Sequence, residues 1–219
     1  MKQKPLWESF FVPHLKGESY HVYNQGNNGQ IIFRDDYDKQ RFLDKLEHYT
    51  SPFVVIITRV LLPDHFHIVL QIKTDFGDNM RKYANMDKVI RRFKRISSRE
   101  EESIIISELL RRFFMSYAKY YNRKYNQTGS LFRKNYRRVL LNSKEELKRV
   151  IIFTHRNVQI HGLVKNFRNY KWSMYHMYKD ESNWTTLSGK IFQTLFKDYA
   201  GMELEHDIHD DDDWDIQIE

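Results

Sequence analysis

The segment Leu61-Leu62-Pro63-Asp64-His65-Phe66-His67-Ile68-Val69-Leu70 sets two histidines one bulky residue apart inside an apolar run. Read as a β-strand, it points His65 and His67 to one face and Phe66 into the opposite layer. Two imidazoles about 7 Å apart along a strand face can share one divalent metal ion. The same pattern also describes two surface histidines on a half-buried strand, so the pair acquires meaning only from its surroundings.

A second group of residues has the chemistry of polyanion binding. Arg91, Arg92, Lys94 and Arg95, then Lys119, Arg123 and Lys124, then Arg133, Lys134, Arg137 and Arg138 alternate with Phe93, Tyr120, Tyr121, Tyr125, Phe132 and Tyr136. Cations of this kind neutralise phosphates, and aromatic faces stack on unpaired bases. Asn24, Asn27 and Asn28 carry amides that either pair with base edges or simply make a turn.

The charge balance supports this reading. The last 17 residues, ELEHDIHDDDDWDIQIE, hold nine acids and no Lys or Arg; residues 1–202 then hold 36 basic against 20 acidic side chains, a net +16. A body that basic points to nucleic acid. The acidic end reads as a flexible, solvated tail. Asp210–Asp213 also suggest a DNA mimic lying over the basic surface.

The elements that must position these groups follow from periodicity. Residues 18–24 alternate as a strand, residues 25–29 form a turn, and residues 30–33 run extended. Asp35-Asp36 opens a helix to about Tyr49, with Phe42, Leu43 and Leu46 on its apolar side. Phe53–Leu62 and His65–Ile72 read as a hairpin joined at Pro63-Asp64. Residues 75–102 are polar and basic, and Ile104–Asn122 is an amphipathic helix. Arg137–Leu141 is a short strand, Ser143 and Glu146 form a capping box opening a helix through about Arg156, and a last helix lies near 187–200. The order β-α-β-β-α-β-α predicts an α+β, ferredoxin-like antiparallel sheet with helices on one face, followed by a C-terminal helical extension.

Size and composition limit the remaining possibilities. A chain of 219 residues suits one domain with appendages: an extension over 1–17, a main domain over 18–178, a helical segment over 179–202 and the tail over 203–219. With no cysteine there is neither a disulfide scaffold nor a thiolate metal site. No run reaches the ~18 apolar residues of a membrane span, and MKQKPLWESF lacks a signal-peptide core, so the expectation is a cytoplasmic protein with no membrane partner.

Several segments together resemble the single-tyrosine HUH transposases of insertion sequences, closest to the REP-associated tyrosine transposase branch. They are Tyr20-His21-Val22-Tyr23-Asn24-Gln25-Gly26-Asn27-Asn28 with Ile32-Phe33, Leu62-Pro63-Asp64-His65-Phe66-His67, Tyr117–Asn122, Thr128–Phe132, Asn157 with His161–Val164, and Tyr170–Tyr175. The resemblance spans roughly residues 18–178. It implies an HUH nuclease-like domain that binds single-stranded or hairpin DNA, often as a homodimer. It also implies Mg²⁺ or Mn²⁺ held by His65, His67 and a later polar residue that falls on Asn157, whose other reading is a helix C-cap. A tyrosine four residues before that ligand would attack phosphorus and form a 5′-phosphotyrosine.

Here the chain departs from the family. The position four before Asn157 is Phe153, which has no oxygen, and Val158-Gln159 stands where the family has a proline after the Asn. Three outcomes follow: a non-catalytic DNA-binding descendant, a substitute hydroxyl from Tyr117, Tyr120 or Tyr121, or hydrolysis by metal-activated water. A basic ferredoxin-like protein that binds RNA is a further alternative.

Overall fold

The computed structural model describes residues 12–75 and 98–209. Among the described residues its strands and longer helices begin with β1 (Ser19–Gln25), α1 (Asp36–Thr50), β2 (Val54–Leu61), β3 (His65–Ile72), α2 (Ser98–Lys124) and β4 (Arg137–Leu141). The strands form one sheet in the order β2-β3-β1-β4, and every neighbouring pair is antiparallel. This is the ferredoxin-like plan, with β1 and β3 in the centre. Then follow α3 (Lys144–Ile160), three 3-10 turns, α4 (Leu187–Phe196) and α5 (Tyr199–Ile208).

Strand alternation divides the molecule into two cores. On one face, Tyr20 and Val22 of β1 and Phe66, Ile68 and Leu70 of β3 meet Phe42 and Leu46 of α1 and Phe113 and Tyr117 of α2. Phe66 fills the space between these helices, its ring 4.9 Å from Phe42 and 5.8 Å from Phe114. On the other face, Val69 of β3 and Ile57 and Val60 of β2 meet Ile151 and Ile152 of α3, with Phe192 of α4 and Met202 of α5 behind them. Helices α1 and α2 thus cover the Phe66 face, and α3, with α4 and α5 behind it, covers the histidine face.

Local chemistry sets the boundaries. Asp35 caps α1 by accepting from the Asp38 amide at 2.7 Å. Gly26 follows β1 where an added Cβ would sit 1.8 Å from the Gln30 carbonyl oxygen, so only glycine lets the chain turn there. Residues 30–33 join no strand; the amides of Ile32 and Phe33 both donate to the Pro63 carbonyl. Ser143 caps α3 by accepting from the Glu146 amide at 3.0 Å, while the Glu146 carboxylate accepts from the Asn142 amide at 2.8 Å.

Three boundaries differ from those expected, the first being the start of α2, at Ser98 instead of Ile104. Helix α3 continues to Ile160 instead of ending near Arg156, because Val158 still faces the apolar core. Asn157 is therefore inside the helix, and the C-cap is His161. The helix expected near 187–200 is two helices, broken at Lys197, whose φ is +69°, and restarted by Asp198, which accepts from the Gly201 amide at 2.7 Å.

The second helix, α5, takes in Glu203–Ile208, so the solvated tail expected from Glu203 does not begin there. Met202 and His206, four residues apart, are buried. Glu203 accepts from Arg168 and Glu205 from Lys148, each at 2.8 Å. Acidic side chains that looked like solvated charge are partners for basic residues of the body. Asp210–Asp213 lie outside the described residues.

Candidate metal and nucleic-acid cleft

His65 opens β3 and His67 sits two residues on, both directed to the α3 face. Each has its Nδ1 occupied. His65 Nδ1 lies 2.8 Å from the Asp64 carboxylate, an acceptor that favours the tautomer with hydrogen on Nδ1 and the lone pair on Nε2. His67 Nδ1 lies 3.0 Å from Nε2 of His21 on β1, and the two rings are within 18° of coplanar. The second nitrogens of both histidines therefore face the site. Burial drives His67 well below the ordinary histidine range, and the neighbouring His21, His65 and His161 push in the same direction. Burial also takes His21 down to about 3. Neutral imidazole is the form that ligates metals.

Helix α3 brings Asn157 against this pair, with its Oδ1 3.3 Å from His65 Nε2. In the tautomer with the proton on Nδ1, facing Asp64, Nε2 and the amide oxygen present lone pairs to one another across that gap. His67 Nε2 and Asn157 Nδ2 are buried and have no hydrogen-bond partner. A cation would take the lone pairs of His65 Nε2, His67 Nε2 and Asn157 Oδ1, though it leaves the Asn157 Nδ2 donor unmet, so the three side chains fit a divalent ion bound through two nitrogens and an amide oxygen. No group of three His, Cys, Asp or Glu side chains among the described residues is placed to hold one, so the set depends on the amide.

Phe153 lies one turn before Asn157 on α3 and is buried. Its ring meets His67 edge to face, with centroids 5.4 Å apart and planes at 90°. Neighbouring Thr154 offers no substitute, since its hydroxyl donates to the Val150 carbonyl at 2.7 Å. Tyr117, Tyr120 and Tyr121 are on α2, across the sheet from the histidines. Tyr117 and Tyr121 donate to the carbonyls of Ile32 and Ile31, each at 2.6 Å, and Tyr120 donates to Asp38 at 2.8 Å. Burial pushes the Tyr120 phenol up to about 12, helped by its bond to Asp38. These hydroxyls tie α2 to the loop before α1 and to α1 itself, and the structure does not bring them to the histidines.

The basic residues separate by face. A cleft at the histidines is lined by Tyr23, Asn24, Arg133, Lys134, Asn135 and Arg137 together with His65 and His67. Arg138, one residue on from Arg137, points to the opposite face and donates to Ser107 and Tyr136, each at 3.1 Å. Lys119 and Arg123 are exposed on α2, where they line a different cleft with Arg41 and Lys45 of α1. Lys124 is bound to Asp35 and Asp38, each at 2.8 Å, which makes it a structural cation. Asn24 is buried, its Oδ1 accepting from the Gln25 amide and its Nδ2 donating to the Arg133 carbonyl. Asn27 and Asn28 form the 3-10 turn after β1, with Asn28 at φ +54°. Arg91, Arg92 and Arg95 lie outside the described residues.

Sequence reasoning missed His21, Asp64 and Tyr23. Asp64 could have been found beside His65. His21 and Tyr23 share a face of β1 by alternation, but their meeting with His67 depends on which strand pairs with which.

No family model matches the chain, and no curated protein matches it. Among solved structures, one of a REP-associated tyrosine transposase bound to a REP hairpin shares the fold, with a TM-score of 0.50 and 14% identity over 82% of this chain and 86% of that chain. At that identity the likeness establishes architecture alone: a four-stranded antiparallel sheet with helices, as in that protein. No helix among the described residues is long and apolar enough to cross a membrane.

Proposed function

We propose that this protein binds single-stranded or hairpin DNA across the cleft at β1, β3 and β4, with a divalent cation held by His65, His67 and Asn157, and that α3 supplies no nucleophile. The observation that carries this reading is that His65 and His67 line one cleft with Arg133, Lys134 and Arg137, while the buried Asn157 reaches His65 from α3. The arginines and the lysine hold phosphate oxygens, and the cleft admits an unpaired strand. A cation bound there would withdraw charge from a phosphoryl oxygen. Two imidazoles and one amide oxygen suit Mn²⁺ better than Mg²⁺, which demands an oxygen shell. Phe153 accounts for the absence of the family's nucleophile from α3.

The test is binding of a labelled stem-loop with single-stranded flanks, measured against salt and beside blunt duplex and RNA of equal sequence. The expected result is preference for the flanked stem-loop and loss of about two units of salt slope when Arg133 and Lys134 are both replaced by Gln. Equal affinity for blunt duplex, or preference for the RNA, would overturn it.

A further inference from the structure

The cleft contains a tyrosine on a different element from the one where the attacking group was expected. Tyr23 stands in the middle of β1, directly opposite His67 on β3 and Arg137 on β4. Directly opposed residues of antiparallel strands present their side chains on the same face. Imidazole, phenol and guanidinium therefore form one row across the sheet, on the side where Asn157 and His65 meet. The Tyr23 ring lies 5.6 Å from His67 between centroids and 18° from its plane. Tyr23 is 7% exposed, and it is the tyrosine among the residues lining the cleft.

Resting on the DNA-binding reading above, we propose that Tyr23 is a nucleophile toward a phosphodiester of the bound strand, so that attack comes from the sheet and not from α3. A phenol attacking phosphorus needs three things: a reachable phosphate, a cation on the non-bridging oxygens, and a place in line with the leaving oxygen. Arg133 and Lys134 hold the strand at the cleft, and Arg137 stands beside Tyr23 to take charge developing on the phosphoryl oxygens. The Tyr23 Oη–P bond forms as the P–O3′ bond breaks. The electron pair of the broken bond leaves with O3′, which takes a proton from water, and the phenolic proton passes to water. The products are a 5′-phosphotyrosine and a free 3′-hydroxyl, and no oxidant or other co-reactant is consumed.

The test incubates the full chain with Mn²⁺ and a pool of stem-loop oligonucleotides whose single-stranded flanks are randomised, so that an unknown target is represented. A denaturing gel reads the covalent adduct, and mass analysis of the digested adduct reads the linked residue. The expected result is an adduct on Tyr23 that Tyr23→Phe abolishes, with each protein assayed at DNA concentrations saturating for it. Absence of an adduct across the pool, or an adduct mapped to any other residue, overturns the proposal. The separate binding measurement shows whether the DNA-binding reading has failed as well.

Discussion

The Phe153 ring stands perpendicular to His67 with centroids 5.4 Å apart, and it also meets His21 at 6.3 Å. One phenyl group thus covers the hydrogen bond between the two imidazoles from the helix side, keeping water from it. This residue of α3, which carries no hydroxyl, builds the apolar wall of the histidine pair.

The first prediction concerns that wall. Phe153→Ala should cost about 3–5 kcal/mol, the usual price of deleting a buried phenyl ring, read as a fall in the denaturation midpoint at unchanged m-value. Phe153→Tyr introduces a hydroxyl into the same buried place and should cost about 1–3 kcal/mol unless it finds a partner. In the covalent assay it should add a second linkage, at position 153, to the one at Tyr23.

His21 governs how His67 presents itself. If His67 donates from Nδ1 to His21 Nε2, its own Nε2 keeps a lone pair for a cation. His21→Phe preserves the ring but removes the acceptor, and should weaken Mn²⁺ binding by about 10–100-fold in a calorimetric titration. His21→Gln retains an acceptor and should recover most of that loss. Equal affinity in the Phe variant and the wild type would show that the histidine contact is only packing.

Much of this fold was legible in the sequence because its signals are local. The His65–Ile72 strand, the Ser143 cap and the Asp35 cap each depend on a few adjacent residues, and the βαββαβ order fixes the sheet. What was not legible depends on pairing between distant segments. Tyr23 and Arg137 are 114 positions apart, and only the β1–β4 register makes them neighbours. The tyrosines of α2 were candidates for a substitute hydroxyl, but the face they occupy is decided by Phe113 and Tyr117 packing under Phe66. The acidic end was misread for a related reason: its charges have partners, Arg168 and Lys148, that periodicity cannot reveal.

Lys124 tests the sorting of the basic residues. It ties the end of α2 to Asp35 and to the buried Asp38, which also accepts from Tyr120, Tyr125 and the Arg34 amide. Lys124→Met should destabilise the fold by about 1–3 kcal/mol while leaving the salt slope of DNA binding unchanged, whereas changes at Arg133 or Lys134 should do the reverse. Burial opposes ionisation of Asp38, but its hydrogen bonds to Lys124, Tyr125, Arg34 and Tyr120 outweigh that and hold its carboxyl below the ordinary 3.8. Its contribution to stability is therefore complete above that value and is lost as pH falls through the lowered one. Asp38→Asn should flatten the acid limb of the stability profile below about pH 4.

A separate pH dependence belongs to the histidines under the C-terminal helices. His155 faces Thr58 Oγ1 at 2.9 Å through Nε2 and His206 Nε2 at 3.1 Å through Nδ1. Burial lowers His155 to about 3, helped by His176, and burial also lowers His206. Below the ordinary histidine value near 6.5 the unfolded chain takes up protons that the folded chain refuses, so stability falls as pH drops through that region. For His155 alone the loss at pH 5 is about 2 kcal/mol relative to pH 8. Denaturation midpoints should decline between pH 7 and 5, ahead of the carboxylate range, and His155→Gln should reduce the decline. A flat profile over that interval would contradict the buried, neutral assignment.

The acidic end can be tested only if the cut respects the fold. Removing residues from Glu203 onward would take away most of α5, including His206, whose ring stacks on Phe167 at 4.5 Å and whose carbonyl accepts from Arg156. Such a truncation should lower the melting temperature and leave Arg168 and Lys148 without their carboxylate partners, so any change in DNA affinity would be ambiguous. A cut after His209 leaves α5 whole and removes six of the nine acids in the last 17 residues. If Asp210–Asp213 compete with phosphates for the basic surface, this shorter protein should melt like the full chain, bind a non-cognate single strand more tightly at low salt, and show a steeper salt slope. An unchanged slope with unchanged melting would make those residues a solubilising tail and nothing more.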